Sequence, residues 1–309
     1  MKGIIRDSYN IGMHPTARSA RLSLLEIHLA VLLAGGAGLF AKFVPVSPAV
    51  LTAGRTLFGS LTLLLFALLI KASLRPRRPR DLFVMLLAGA ILAAHWFTFF
   101  LSIQVSTVAI GLLAFSTFPL FVTFLEPLVF RERLHGRDIV MAIVVVAGLM
   151  LVTPSFDVTN TLTQGLLWGV LSAFTFAVLA LLNRAYVRAY PPVTVSFYQQ
   201  AFAFVCMAPF ALQWDGALTG QDWLMLVILG IVFTALGQGL IVASLRHLRA
   251  QTASVIFGLE PVYGILLAWL LLGEVPALRT LLGGAIILGA VLWASLQHRS
   301  SKPIEISTG

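Results

Sequence analysis

Charge is what this sequence has least of. Only 11% of its 309 residues are Asp, Glu, Lys or Arg, whereas a water-soluble domain carries roughly 25%. Cysteine is nearly absent as well. Cys206 stands alone, so no disulfide or Cys-based metal site can form within one chain, and its place in an apolar run reads as a small buried hydrophobe. Chemistry-bearing motifs are missing too: there is no Walker lysine loop, no HExxH, no GxSxG elbow and no His and carboxylate cluster at metal-ligand spacing. These absences argue against ATP-driven transport and zinc chemistry. They call for no cofactor and do not point to an enzyme.

What is abundant is apolar. Hydrophobic residues make up 59% of the chain and the mean hydropathy is +0.96, which excludes a disordered chain, a secreted disulfide scaffold and an ordinary cytosolic enzyme. Crossing about 30 Å of hydrocarbon takes roughly 20 helical residues. Ten stretches approach that length: Leu24 to Phe43, Ala49 to Ile70, Leu82 to Leu101, Val108 to Phe130, Ile139 to Val152, Leu166 to Leu182, Val193 to Leu212, Trp223 to Leu245, Thr252 to Leu272 and Leu278 to Leu296. The expected fold is all-α, a polytopic membrane protein of ten transmembrane helices. The fifth stretch is the weakest, with 14 apolar residues. The first lacks a small-residue cleavage site and is followed at once by another, so it reads as a retained helix rather than a signal peptide.

Positive residues in short loops mark the cytoplasmic side. With the N-terminus inside, 18 of the 21 Lys and Arg residues fall in cytoplasmic tails and loops, the exceptions being Lys42, Arg55 and Arg279. Opposite loops carry Asp157, Asp215, Asp222 and Glu274. Both termini are therefore expected in the cytoplasm, with residues 1–23 and 298–309 as tails. The net charge of +9 then serves as a topology label that anionic lipid accounts for, and no nucleic-acid partner is implied.

The two halves repeat each other at an offset of 141 to 142 residues, pairing Lys42 with Arg184, Asp81 with Asp222, Gly89 with Gly230, Pro119 with Pro261, Glu132 with Glu274, Arg137 with Arg279, and Gly148 with Gly289. Five spans per half is an odd number, so residues 24–153 and 164–297 would be inverted repeats. Secondary transporters are often built this way, with a substrate site near the midplane.

An ionisable side chain inside a span is a functional candidate unless it reaches the interface. Glu26 and His28 lie within reach of it. Arg55 sits about two turns into the second span, with Thr52, Gly59 and Thr62 on its face, a stripe suited to a cavity wall, although a snorkelling or helix-pairing arginine fits too. His95, Phe99 and Ser102 share one face of the third span among Trp96, Phe97 and Phe100; these rings could stack on a substrate or face lipid. In the fourth span Ser116, Pro119, Thr123 and Glu126 form one stripe, and Pro119 frees a backbone carbonyl there. The ninth span carries Glu260 beside Pro261. Loss of hydration disfavours a charged carboxylate, so Glu126 and Glu260 are candidates for proton coupling; protonated glutamates bonded across a helix pair are the alternative.

Later spans add neutral polar groups: Trp168, Ser172 and Thr175; Tyr198, Gln199 and Gln200; Thr234 and Gln238. Amides, hydroxyls and rings with few charges suit a zwitterion or small amphipathic metabolite better than a phosphate, which would want several cations. The candidate pathway is thus His95, Trp96, Phe99, Ser102, Thr123, Trp168, Tyr198, Gln199 and Gln238, with Glu126 and Glu260 for protons and Arg55 as a wall.

His95-Trp96 with Phe99-Phe100, Val105 to Gly111 leading into Thr117-Phe118-Pro119, the segment around Glu132, and Leu259-Glu260-Pro261 followed by Gly273-Glu274 resemble the EamA-type transporters of the drug/metabolite transporter superfamily. The likeness runs from the first span to the tenth. One departure is Phe130-Arg131-Glu132, where the family often has Gly before Glu. The resemblance implies two inverted five-helix repeats, a cavity between spans one to four and six to nine, and export of amino acids or other metabolites across the bacterial inner membrane. The aromatic third span is similar to that of aromatic amino-acid exporters. A lipid flippase or intramembrane lipid-modifying enzyme using the same cavity is the alternative reading, and a non-transporting scaffold or sensor is a third.

Overall fold

A computed structural model describes residues 17–130, 134, 136–153, 157–186, 190–245, 248 and 250–297. Glu132 and its neighbours Arg131 and Arg133, most of the basic N-terminal tail, the C-terminal tail, and Arg188, Arg246 and Arg249 lie outside the described residues.

The described chain is helical throughout. In order come α1 (Ala17–Ala37), α2 (Phe40–Phe43), α3 (Pro48–Leu69), α4 (Pro79–Val105), α5 (Val108–Phe115), α6 (Phe118–Phe130), α7 (Gly136–Val152), α8 (Thr161–Tyr186), α9 (Pro192–Ala211) and α10 (Gly220–Gly230). A π-helical segment (Ile231–Leu236) follows, then α11 (Gly237–Ser244), α12 (Ala250–Phe257), α13 (Glu260–Leu272) and α14 (Leu278–Gln297). Helix starts follow local chemistry. Ser47 caps α3, its hydroxyl accepting from Val50 N ahead of Pro48, and Thr107 does the same for α5. Thr219 and Asp222 cap each other's backbone at the start of α10. α13 ends at Gly273, whose φ of 68° suits a residue without a Cβ.

Eight helices or continuous helical runs are long and apolar enough to cross a membrane, so the chain is a multi-pass membrane protein. Two further apolar helices, α7 and α14, pack on each other. A Cβ on Gly148 would lie 3.0 Å from the Gly283 carbonyl oxygen, and one on Gly283 would lie 2.7 Å from that of Gly148.

Two of the membrane-scale runs are broken in the same way. α5 and α6, with 8 and 13 residues, stop and restart at Ser116 and Thr117; α12 and α13, again 8 and 13 residues, do so at Gly258 and Leu259. Each boundary of the second pair lies 142 residues after its counterpart (250 − 108 and 260 − 118). Pro119 and Pro261 are the second residues of α6 and α13, where a missing N–H leaves no intrahelical bond unmade. The helix therefore restarts just before each proline, rather than bending at it as an unbroken fourth span would.

Packing repeats as well. α4 meets α9 where a Cβ on Gly89 would lie 2.5 Å from Phe202 Cβ and 3.0 Å from Gln199 O, and α10 meets α3 where one on Gly230 would lie 2.5 Å from Phe58 Cβ and 3.0 Å from Arg55 O. α3 packs on α9, α1 on α11 and α13, and α8 on α4, α5 and α6.

A close backbone crossing joins α1 to the second broken helix. A Cβ on Gly35 would lie 2.7 Å from Glu260 O and 2.8 Å from Gly264 N, both rigid backbone atoms. Gly35→Ala should therefore cost about 1–3 kcal/mol by overpacking, seen as a lowered unfolding midpoint in detergent. Gly289→Ala, with nothing within 4 Å, should leave the midpoint unchanged or raise it.

Candidate functional site

The second broken helix opens onto a cavity of about 190 Å³ between α1, α3, α4, α5, α8, the π segment, α11, α12 and α13. Its polar groups are Arg55, His95, Thr234, Gln238 and Glu260; its rings are Trp96, Phe99, Phe115, Phe176, Phe233 and Phe257. Arg55 is 8% exposed and Glu260 9%. They make no direct ion pair, although each charge lies within the field of the other. The guanidinium carbon of Arg55 sits 4.0 Å from the centre of the Trp96 ring and 5.9 Å from that of Phe100, a cation–π arrangement worth about 2 kcal/mol in a desolvated site. Arg55 Nε and Gln238 Oε1 are buried with no hydrogen-bond partner. Glu260 is the first residue of α13, where unpaired N–H groups favour a negative charge.

His95 is anchored behind this lining. Its Nδ1 lies 2.8 Å from Ser172 Oγ and 3.1 Å from the Ser172 carbonyl, while Ser172 Oγ donates to the His95 carbonyl at 3.1 Å. Protonation of Nδ1 satisfies this set and leaves Nε2 as an acceptor. Phe176 and Phe115 flank the imidazole at 4.9 and 5.1 Å between ring centroids.

Toward the end of the bundle where α1 begins, a second cavity of about 330 Å³ shares Phe115, Phe176, Ile241, Phe257 and Glu260 with the first. The opposite direction is sealed by Leu39, Ile103 and Leu112, each at most 1% exposed. Beyond that seal the α4–α5 junction is held from both halves of the chain. Lys42 Nζ donates to the carbonyl of Ser106 at 2.8 Å, and Glu274 accepts from Val108 N at 2.9 Å. A cation sits at a helix C-terminus and an anion at a helix N-terminus, matching both dipoles.

Arg55, His95, Trp96, Phe99, Gln238 and Glu260, all singled out in the sequence, come together here. The other candidates lie outside the lining of this cavity. Ser102 is fully buried and donates to Gly165 O at 2.5 Å, tying α4 to α8. Thr123 bonds its own helix at Pro119 O, 2.8 Å away. Trp168 is 37% exposed on the outside of α8. Tyr198 donates to Leu74 O at 2.7 Å, and Gln199 donates to Asn183 Oδ1 at 2.6 Å. Glu126 is partly buried on α6, two turns beyond the break. Four aromatic walls were not singled out: Phe115, Phe176, Phe233 and Phe257. Phe176 follows Ser172 by one turn, so the stripe through Ser172 contained the signal. Phe233 lies on the π segment, where the helical period does not hold.

The EamA-like transporter family matches the chain twice, over residues 22–153 and 163–296. An uncharacterized transporter of Archaeoglobus fulgidus is 27% identical, over 90% of this chain and 97% of its own. The pseudopaline exporter CntI of Pseudomonas aeruginosa PAO1 is 25% identical over 75% and 81%. An S-adenosylmethionine uptake transporter of Rickettsia felis is 26% identical over 77% and 80%. A solved crystal structure superposes with a TM-score of 0.63 at 20% identity, covering 93% of this chain and 99% of its own, and so shares the fold.

Removing the carboxylate that holds α5 should loosen the sealed end. In a Cys206→Ala background, a cysteine at Leu112 should react with a membrane-impermeant thiol reagent several-fold faster after Glu274→Ala. Glu274→Gln, which keeps an acceptor, should fall between the two. Equal rates in all three would show that the Glu274 bond does not hold the seal.

Proposed function

Because this chain belongs to the EamA-like transporter family, we propose that it is a secondary transporter of small zwitterionic metabolites, amino acids or amphipathic aromatic compounds among them, which it exports from the cytoplasm. The carrying observation is the cavity itself. A buried arginine and a buried glutamate face one small space without pairing, and the arginine keeps an unpartnered Nε. Burying either charge alone is costly, so a ligand bearing both signs meets complementary groups there: its carboxylate on Arg55, bidentate where the geometry allows, and its ammonium on Glu260 and the unpartnered Gln238 Oε1. The apolar remainder would lie among Trp96, Phe99, Phe115 and Phe176. With adjoining cavities of about 190 and 330 Å³, at the small end of the roughly 300–1,000 Å³ of ligand pockets, the cargo is small.

Transport then follows from symmetry. We read α7 and α14 as the fifth and tenth spans, giving two inverted repeats at 24–153 and 164–297. The matching breaks support this reading, and so does the exchange of contacts: what Gly89 of one half does to α9, Gly230 of the other does to α3. Two packings related by such an axis differ little in energy, which suits rocking of one repeat against the other around a central site. The basic loops favour both termini in the cytoplasm of the inner membrane; on that reading the larger cavity faces inward and the Lys42 and Glu274 contacts close the outer end.

Glu260 can hold a proton or a substrate ammonium, not both together. Mutually exclusive occupancy of one carboxylate yields proton antiport, and Glu126, nearer the cytoplasmic end of α6, would relay protons to it.

Counterflow in proteoliposomes with a panel of labelled amino acids tests the substrate site. Arg55→Gln should reduce flux of carboxylate-bearing substrates at least 10-fold, equivalent to about 1.4 kcal/mol or more, with binding lost rather than folding. Undiminished flux would remove Arg55 from the site. Glu260→Gln should abolish the response to an imposed pH gradient; a retained response in both Glu260→Gln and Glu126→Gln would make facilitated diffusion the better account.

A further inference from the structure

A third cavity lies outside the central one, toward the membrane. It is an apolar groove of about 400 Å³ between α1 with α2, α10 with the π segment, and α13. Its rim carries Phe43, 42% exposed, and Leu271, 60% exposed, on helices that cross the bilayer. Hydrocarbon is therefore the medium at its mouth. Gln221 is its one uncharged polar lining residue, and it lies at the same end as Phe43.

The groove has the length of one leaflet. Leu32 to Phe43 along α1 and α2 spans about 16 Å and Gln221 to Phe233 about 18 Å at a helical rise of 1.5 Å per residue, against a half-thickness of about 15 Å for the hydrocarbon core. Its inner end is a single ring. Phe233 lines both this groove and the central cavity. The ring packs edge to face on Phe40, 4.8 Å between centroids, over Gly36, where a Cβ would lie 2.8 Å from Phe233 Cε1. Phe233 is thus the one residue common to the linings of both cavities, and it is carried on a π-helical turn, a feature that recurs at functional sites.

We propose that this groove is a binding site for one acyl chain of a bilayer phospholipid, with Phe233 as the door between that chain and the central cavity. Apolar lining excludes water, the Gln221 end meets the headgroup region, and an empty apolar groove of this size facing lipid would forfeit the contacts a chain supplies. The counterpart of Phe233 at the repeat offset of 141 is Leu92, 6% exposed in the core between helices, so the site belongs to one half only.

Nanodiscs containing phosphatidylcholine with a diazirine near the end of one acyl chain test this, with adducts mapped by peptide mass spectrometry. In the wild-type protein, peptides covering Leu32–Phe43 and Gln221–Phe233 should label several-fold more strongly than the lipid-exposed stretch around Ile143 on α7. Met225→Trp, which fills the groove, should remove that excess; Phe233→Ala should carry label onto Phe99 and Phe115. Label on the groove no stronger than on α7 would overturn the site, and a Phe233→Ala pattern confined to the groove would overturn the door. Should Met225→Trp fail to fold, phosphatidylcholine brominated on the acyl chain decides the site in the wild type: bromine in the groove supports it, and bromine only elsewhere refutes it.

Discussion

A backbone inside hydrocarbon must satisfy its own hydrogen bonds, and everything distinctive here depends on how two helices escape that rule. α5–α6 and α12–α13 each break in the interior. Such breaks survive only where protein covers them, and they are covered. Ser116 and Thr117 return their hydroxyls to Leu113 and Ala114 carbonyls at 2.7 Å, and Gly35 lays α1 directly on the backbone at Glu260 and Gly264. The prolines spare the restarting helix one unsatisfied donor each. With the backbone settled in this way, the first turn of α13 can present a carboxylate to a cavity.

The same economy governs charge. Arg55 is held in an apolar interior by the faces of Trp96 and Phe100, which offer a cation attraction without neutralising it. Glu260 stands at a helix N-terminus, which offers an anion the corresponding help. Neither charge is extinguished by the other, so both keep part of their binding capacity for something that enters. His95 differs, being committed to Ser172 through one nitrogen; it joins α4 to α8 and lends the cavity an acceptor edge.

The halves match in backbone more closely than in chemistry. The position related to Glu260 by the offset of 142 is Phe118, and the π turn of the second half has only regular α-helix opposite it in α4. Each half supplies three of the six rings; the first adds the arginine, and the second adds the carboxylate, the amide and the one ring that lines both the central cavity and the outer groove.

Much was legible in residue order alone. Low charge and long apolar runs impose a membrane and hence helices, the spacing of punctuating residues reveals the 142-residue offset, and the costs of buried ions single out Arg55 and Glu260. Helical stripes put His95, Trp96 and Phe99 near one another because α4 is regular, and all three line the central cavity. The same face carries Ser102 two turns beyond His95, where α8 packs close and its Gly165 carbonyl takes the hydroxyl, and the stripe from Ser116 to Thr123 runs across a break that resets the helix. Trp168 and Phe176 are both large rings on α8, yet one faces outward and the other lines the cavity. Hydrophobicity cannot make that distinction, because lipid and protein core are equally apolar solvents for a ring. Sequence by itself determined the medium, the helices and the ions that had to be accommodated; which faces turn inward, where the helices break and which ring lines both the central cavity and the outer groove were decided by tertiary packing, the only level at which protein and lipid become different neighbours.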